Sequence, residues 1–239
     1  MAHHLLLPAA TLLLTLLFLS PPTATAKDSV VLDVDGNPVE AGSQYYVLTS
    51  GWGGAGRGGL TAASLGGPCP LYVGQYRLWV QKGSPVTFYP SNPSQKHITQ
   101  SSDVNIAFAP NPICRNQGVW QLGYNGISFY ITTNGVIGKQ EDVDTFANWF
   151  KIEQAGGLPG AYKIVYCFAV PSTGPEPVVP DSRRRTGPEP DTEYCEQLDA
   201  TVPVPPMGLS LLTPVPIDNP LPFFGFVFKK VNTTANHSY

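Results

Sequence analysis

Proline and glycine recur too often in this chain for long helices to form: there are 25 prolines and 24 glycines among 239 residues. Proline removes a backbone donor and clashes with the preceding helical turn, and glycine carries backbone freedom that a helix must give up. Between these breakers lie short runs of β-branched and aromatic residues, each bounded by turn signals. Val30-Val31-Leu32-Asp33 meets the turn signal Asp35-Gly36-Asn37-Pro38. Gln44–Thr49, Leu71–Val73, Val86–Tyr89 and Asp103–Phe108 follow, the last alternating apolar and polar residues with period two. Val119–Leu122, Ser128–Thr132, Trp149–Glu153, Tyr162–Tyr166 and Phe224–Phe228 complete the series. About eleven short strands at this even spacing, with no helical period, predict an all-β sandwich or barrel.

Residues 1–26 have the form of a secretory signal peptide. An apolar run from Leu5 to Leu19 meets Pro21-Pro22 and then the small residues Thr23-Ala24-Thr25-Ala26. That run is shorter than the ~20 residues a spanning helix needs, and an A-x-A end suits cleavage. The mature chain is expected to span 27–239 as a single domain, beginning at Lys27. It is expected to travel the secretory pathway, to the extracellular space or a vacuole. Four cysteines in that compartment predict two disulfides, with three possible connectivities.

Two segments stand out by composition. Gly51–Gly59 holds six glycines in nine residues and reads as a loop. Gly54, Gly56 and Gly59 match the spacing of a dinucleotide fingerprint, but Gly66-Gly67-Pro68 leaves no room for the helix it needs. Pro171–Tyr194 is proline-rich, nearly devoid of apolar side chains, and repeats Thr-Gly-Pro-Glu-Pro at 173–177 and 186–190. It predicts an extended insertion outside any core, open to proteases at Arg183-Arg184-Arg185. Val202–Pro222, also proline-rich, reads as irregular strand and loop.

Several functions are disfavoured. With a net charge of −3 and only 13% charged residues, no face is expected to attract nucleic acid strongly. Beyond the leader there are two histidines, His97 and His237, in no metal spacing, and no G-x-S-x-G elbow occurs. The chain is therefore not expected to be an enzyme, to hold a metal or cofactor, or to need a membrane after signal cleavage. Trp79, Trp120 and Trp149 read as buried strand tryptophans rather than a sugar-stacking platform. Asn232-Thr233-Thr234 and Asn236-His237-Ser238 are glycosylation sequons.

A set of strings in order across residues 30–231 resembles one known family. Val31–Val39 with Tyr45–Leu48, Cys69-Pro70-Leu71, Ser84–Phe88, Ser102–Phe108, Asn148–Glu153, Tyr162–Cys167 and Val227–Lys230 are similar to successive blocks of the plant Kunitz trypsin inhibitors. Around Tyr89–Phe108 the cereal members that inhibit α-amylase and subtilisin are the more similar ones. The resemblance implies a β-trefoil of twelve short strands in three pseudo-repeats, with pairing of Cys69 to Cys114 and of Cys167 to Cys195. It also implies a monomeric inhibitor whose target is a hydrolase, blocked by an exposed substrate-like loop at Ser91, Asn92, Pro93, Ser94, Gln95 and Lys96. The residue entering the target's pocket is Asn92 in one alignment and Ser94 or Gln95 in another, with Lys96 as a further candidate. None but Lys96 has the charge that trypsin selects, so the expected target is a subtilisin-like serine protease. Alternatives are an inhibitor of α-amylase or another glycoside hydrolase, and a non-inhibitory storage or carbohydrate-binding protein. Members that inhibit trypsin carry an Asn that props the loop from behind, and the matching position here is Ala41.

Overall fold

The computed structural model describes residues 29–50, 57–69, 71–114, 117–138, 145–156, 158–169, 193–217 and 225–232. The expected signal peptide, the Arg183–Arg185 run, Asn236 and His237 lie outside these residues. Twelve strands occur among them: β1 (Gln44–Thr49), β2 (Leu60–Ala63), β3 (Tyr72–Tyr76), β4 (Val86–Pro90), β5 (Asp103–Asn111), β6 (Gln117–Tyr124), β7 (Phe129–Gly135), β8 (Phe150–Gln154), β9 (Tyr162–Ala169), β10 (Glu193–Val204), β11 (Leu209–Pro216) and β12 (Phe226–Lys230). The two helical pieces, Pro112–Cys114 and Phe146–Asn148, are single 3₁₀ turns.

Six strands close on themselves. In ring order β1 pairs with β4, β4 with β5, β5 with β8, β8 with β9, β9 with β12, and β12 with β1, all antiparallel. Closure removes the free edges that an open sheet would expose. The other six form the hairpins β2–β3, β6–β7 and β10–β11, joined through β3 to β7 and β11 to β3.

Alternation along the ring strands decides what is inside, because successive strand side chains point to opposite faces. Tyr45 and Val47 of β1, Val86 and Phe88 of β4, Phe150 and Ile152 of β8, and Phe226 and Phe228 of β12 all turn inward and are buried. The Phe228 ring meets Phe88 edge-on at 5.3 Å and stacks on Tyr162 at 5.6 Å. Trp120 of β6 joins the same core against Phe108 and Phe150. Each such side chain contributes roughly 1.5–3 kcal/mol on leaving water.

The segment before β1 runs beside the return to β5. Val31 N–H donates to Ile98 O at 2.9 Å, and Ile98 N–H donates to Val39 O at 2.8 Å. Between these contacts Asp33 Oδ1 accepts the N–H groups of Asp35 and Asn37, closing a turn in which Gly36 takes φ 78°.

The disulfides join Cys69 to Cys114 and Cys167 to Cys195, with Cα atoms 5.4 Å and 4.0 Å apart. This is the pairing that the resemblance implies.

Four readings need correction. Trp79 is 65% exposed, on the turn between β3 and β4, while Trp120 and Trp149 are buried. Leu60–Ala63, to which no strand was assigned, is strand β2, paired with β3. Of the stretch Val202–Pro222 read as irregular, Val202–Val204 and Leu209–Pro216 belong to the paired strands β10 and β11, in which Val204 opposes Leu209 and the register shifts between Ala200 and Val202, while 218–222 lie outside the described residues. The expected insertion ends earlier than Tyr194, because Glu193 and Tyr194 already pair with Ala169 and Phe168, and the Tyr194 and Phe168 rings stack at 6.1 Å. The rest of that insertion lies outside the described residues.

Candidate functional site: the turn between β4 and β5

The six residues Ser91–Lys96 leave the ring directly after β4. Pro90 opposes Val104 across β4 and β5, and Ser91 N–H donates to Asp103 O at 2.9 Å, so the departing limb is tied to the returning strand. Ser91, Asn92, Pro93, Ser94 and Lys96 are exposed, and Gln95 is half-buried.

The tip is a β-turn. Gln95 N–H donates to Asn92 O at 3.0 Å, and Ser94 N–H donates to the Asn92 side-chain oxygen at 3.0 Å. Asn before Pro favours this shape, because the Asn side chain mimics a turn acceptor and Pro presets the next φ. Residues 92–95 therefore fold back rather than run as an extended strand. Their apex, Pro93 and Ser94, faces solvent.

Gln95 turns back toward the protein. Its amide nitrogen donates to His97 O at 2.8 Å and to Thr99 Oγ1 at 2.9 Å, and Thr99 Oγ1 lies 2.7 Å from Ser102 Oγ. This reaches the second turn, where Ser101 takes φ 58° and its N–H donates to Ile152 O at 2.9 Å. In this arrangement the Gln95 amide nitrogen is taken up by the protein's own acceptors. Sequence reasoning counted Gln95 among the pocket candidates, and the hydrogen-bonding residues two and four positions on were the available signal.

The far limb is held from behind. Ala41 N–H donates to Lys96 O at 2.9 Å, and Glu40 forms an antiparallel bridge with His97. The Ala41 side chain packs against the core rather than reaching into the turn. Glu40 in turn binds Lys230 of β12 at 2.5 Å and accepts the Ser43 hydroxyl at 2.9 Å. Those two hydrogen bonds hold the Glu40 carboxyl below its usual range, and the same contact raises the Lys230 amine. Tyr45 supports this segment too, its hydroxyl oxygen accepting the Glu40 N–H at 2.9 Å.

Asn232, just past β12, is exposed. The cluster of potential metal ligands found among the described residues is Cys167, Glu193 and Cys195. Its two sulfurs are joined to each other and are not available to an ion.

Comparison with known proteins places this geometry. A family model described as trypsin and protease inhibitor matches residues 31–178. A 21 kDa seed protein of Theobroma cacao is 40% identical over 153 residues, which is 62% of this chain and 67% of that protein. An alpha-amylase/subtilisin inhibitor of Oryza sativa subsp. japonica is 34% identical over 162 residues, covering 65% of this chain and 77% of its own length. Among solved structures, the rice bifunctional alpha-amylase/subtilisin inhibitor superposes with a TM-score of 0.57 at 27% identity, over 85% of this chain and 99% of that one.

Proposed function

Because this chain belongs to the plant Kunitz family of trypsin and protease inhibitors, we propose that it is a secreted, monomeric inhibitor of a subtilisin-like serine protease, acting through Ser91–Lys96. The family comprises inhibitors rather than enzymes, so the turn acts by occupying a cleft and not by chemistry of its own. The scaffold is a β-trefoil on this reading. The ring of β1, β4, β5, β8, β9 and β12 supports it, since each block of four strands adds one hairpin outside the ring.

The observation that carries the proposal is the bracing of an exposed turn at both ends. Ser91 is tied to Asp103, Lys96 to Ala41, and Gln95 to His97 and Thr99. A loop already held in place loses little conformational entropy on binding, so more of the contact appears as affinity. Gln95 serves as an internal support here, beside the main-chain contact from Ala41. With Gln95 turned inward, Asn92, Ser94 and Lys96 are the side chains that can reach a target. The first two are small and polar, which suits a subtilisin-like cleft better than one selecting Arg.

A second reading has its own support. The closed turn at 92–95 offers polar side chains rather than an extended backbone, and this suits a plug in the cleft of an α-amylase. The two readings separate in one experiment: purified protein assayed against subtilisin, trypsin, chymotrypsin and α-amylase. Inhibition of subtilisin that disappears when Asn92–Gln95 is replaced by Gly-Ser supports the first reading. Inhibition of α-amylase alone supports the second, and no inhibition of any of the four rejects both.

A further inference from the structure

The turn between β3 and β4 has an unusual surface. Leu78, Trp79 and Val80 are 61%, 65% and 60% exposed, three consecutive large apolar side chains at the tip of a tight turn. Gln81 N–H donates to Leu78 O at 3.0 Å and closes that turn. Single apolar residues on a surface need no explanation, but a contiguous set marks a contact site. Met207, 45% exposed, lies on the neighbouring β10–β11 turn, which is tied to this one by the Arg77 N–H donating to Gly208 O at 2.9 Å.

The turn is rigidly based. Gly58 N–H donates to Tyr76 O at 2.7 Å, and Gly59 N–H donates to Gln81 O at 2.8 Å. A side chain at Gly58 or Gly59 would collide with the carbonyls of Leu78, Gln81 and Lys82. The apolar tip is therefore presented at fixed height and does not fold down onto the protein.

Charge around the tip is one-sided. Arg57, Arg77 and Lys82 are all exposed. No aspartate or glutamate occurs between Glu40 and Asp103, nor between Asp199 and Asp218, the two stretches that build this corner. A chain of net charge −3 thus has a corner whose own segments carry only cations.

We propose that the Arg77–Lys82 turn is a membrane-docking tip, seating Leu78, Trp79 and Val80 in the interfacial layer of an anionic lipid bilayer. Tryptophan favours that layer, since its ring is apolar and its N–H polar. Flanking cations add attraction to anionic headgroups. The tip is a protruding turn rather than a groove, so a fluid interface receives it without a matching shape. The expectation that the chain needs no membrane after signal cleavage concerned a spanning segment and does not bear on a peripheral contact of this size.

The test is flotation of the purified protein with vesicles of phosphatidylcholine, with and without phosphatidylserine. Flotation only with the anionic vesicles, weakened by salt, is expected. Trp79 emission should shift to the blue on binding, and W79F should lose that shift. L78S/W79S/V80S should stay in the soluble fraction, and R77Q/K82Q, which leaves the apolar tip intact, should bind about tenfold or more weakly. No flotation of the parent, or undiminished flotation of both variants, overturns the proposal. So does a concentration-dependent dimer in sedimentation velocity that the triple variant abolishes, since a second copy would then be what covers the tip.

Discussion

The backbone N–H of Ala41 donates to the carbonyl of Lys96 at 2.9 Å, so a segment 55 positions earlier in the chain holds the far limb of the exposed β4–β5 turn. The brace is a main-chain contact, and the Ala41 side chain takes no part in it. Ala41→Asn is expected to weaken inhibition rather than tighten it, because the side chain at this position packs against the core, where an amide finds apolar neighbours instead of the turn. Inhibition titrations of parent and variant at equal enzyme concentration measure the change.

Gln95→Ala removes both donations from the side-chain amide, to His97 O and Thr99 Oγ1. At about 0.5–1.5 kcal/mol for each neutral hydrogen bond, the inhibition constant should rise roughly tenfold or more. The melting temperature should also fall by a few degrees, since both bonds belong to the folded protein before any target is bound. Gln95→Glu keeps the length of the side chain but cannot donate, so it should be at least as weak as the alanine variant.

The Glu40–Lys230 pair gives stability a pH window. Glu40 is held below its usual pKa by hydrogen bonds from Lys230 and Ser43, so its contribution is present above the unfolded carboxylate range and is lost as pH falls through the lowered folded value. Lys230 is raised by Glu40, so its share is present below the unfolded amine value and is lost as pH rises through the raised folded one. Glu40→Gln should therefore be less stable than the parent near neutrality and approach it in acid. Urea unfolding of both proteins across acid and neutral pH reads the difference. Both groups are exposed to solvent, so salt should diminish the gap.

The two disulfides should differ in effect. Cys69–Cys114 spans 45 positions, and replacing both residues by serine should cost about 4 kcal/mol on chain-entropy grounds. Cys167 and Cys195 sit directly opposite each other on β9 and β10, whose pairing already extends from Glu193 to Gln197. Their replacement should cost less, because the ladder keeps the strands together. Chemical denaturation of C69S/C114S and C167S/C195S compares them.

Much of the ring was legible locally. Tyr45 and Val47, Val86 and Phe88, and Phe150 and Ile152 lie in short runs of β-branched and aromatic residues bounded by turn signals, and that composition marks their strands without help from the rest of the chain. Ring closure was not legible, because the pairing of Tyr46 with Lys229 joins opposite ends of the sequence and leaves no local trace. β10 and β11 were obscured by Pro203, Pro214 and Pro216, which lack the N–H a strand normally offers but tolerate positions where no ladder bond is required. β2 was hidden behind the glycine-rich stretch that precedes it. At the candidate site, exposure of 91–96 followed from composition. The inward direction of Gln95 did not, because it depends on where the second turn brings Thr99 and Ser102. Trp79 was misassigned for a similar reason: tryptophan composition says buried, while Lys82-Gly83-Ser84-Pro85, three residues further on, says turn.

The central claim is that Ser91–Lys96 blocks a protease, and titration of subtilisin with the purified protein, beside the variant carrying Gly-Ser in place of Asn92–Gln95, tests it most directly. The account predicts that the parent abolishes subtilisin activity at near-equimolar ratio, while the variant stays folded and leaves the enzyme fully active. Full activity in the presence of excess parent, or equal inhibition by parent and variant, would contradict it.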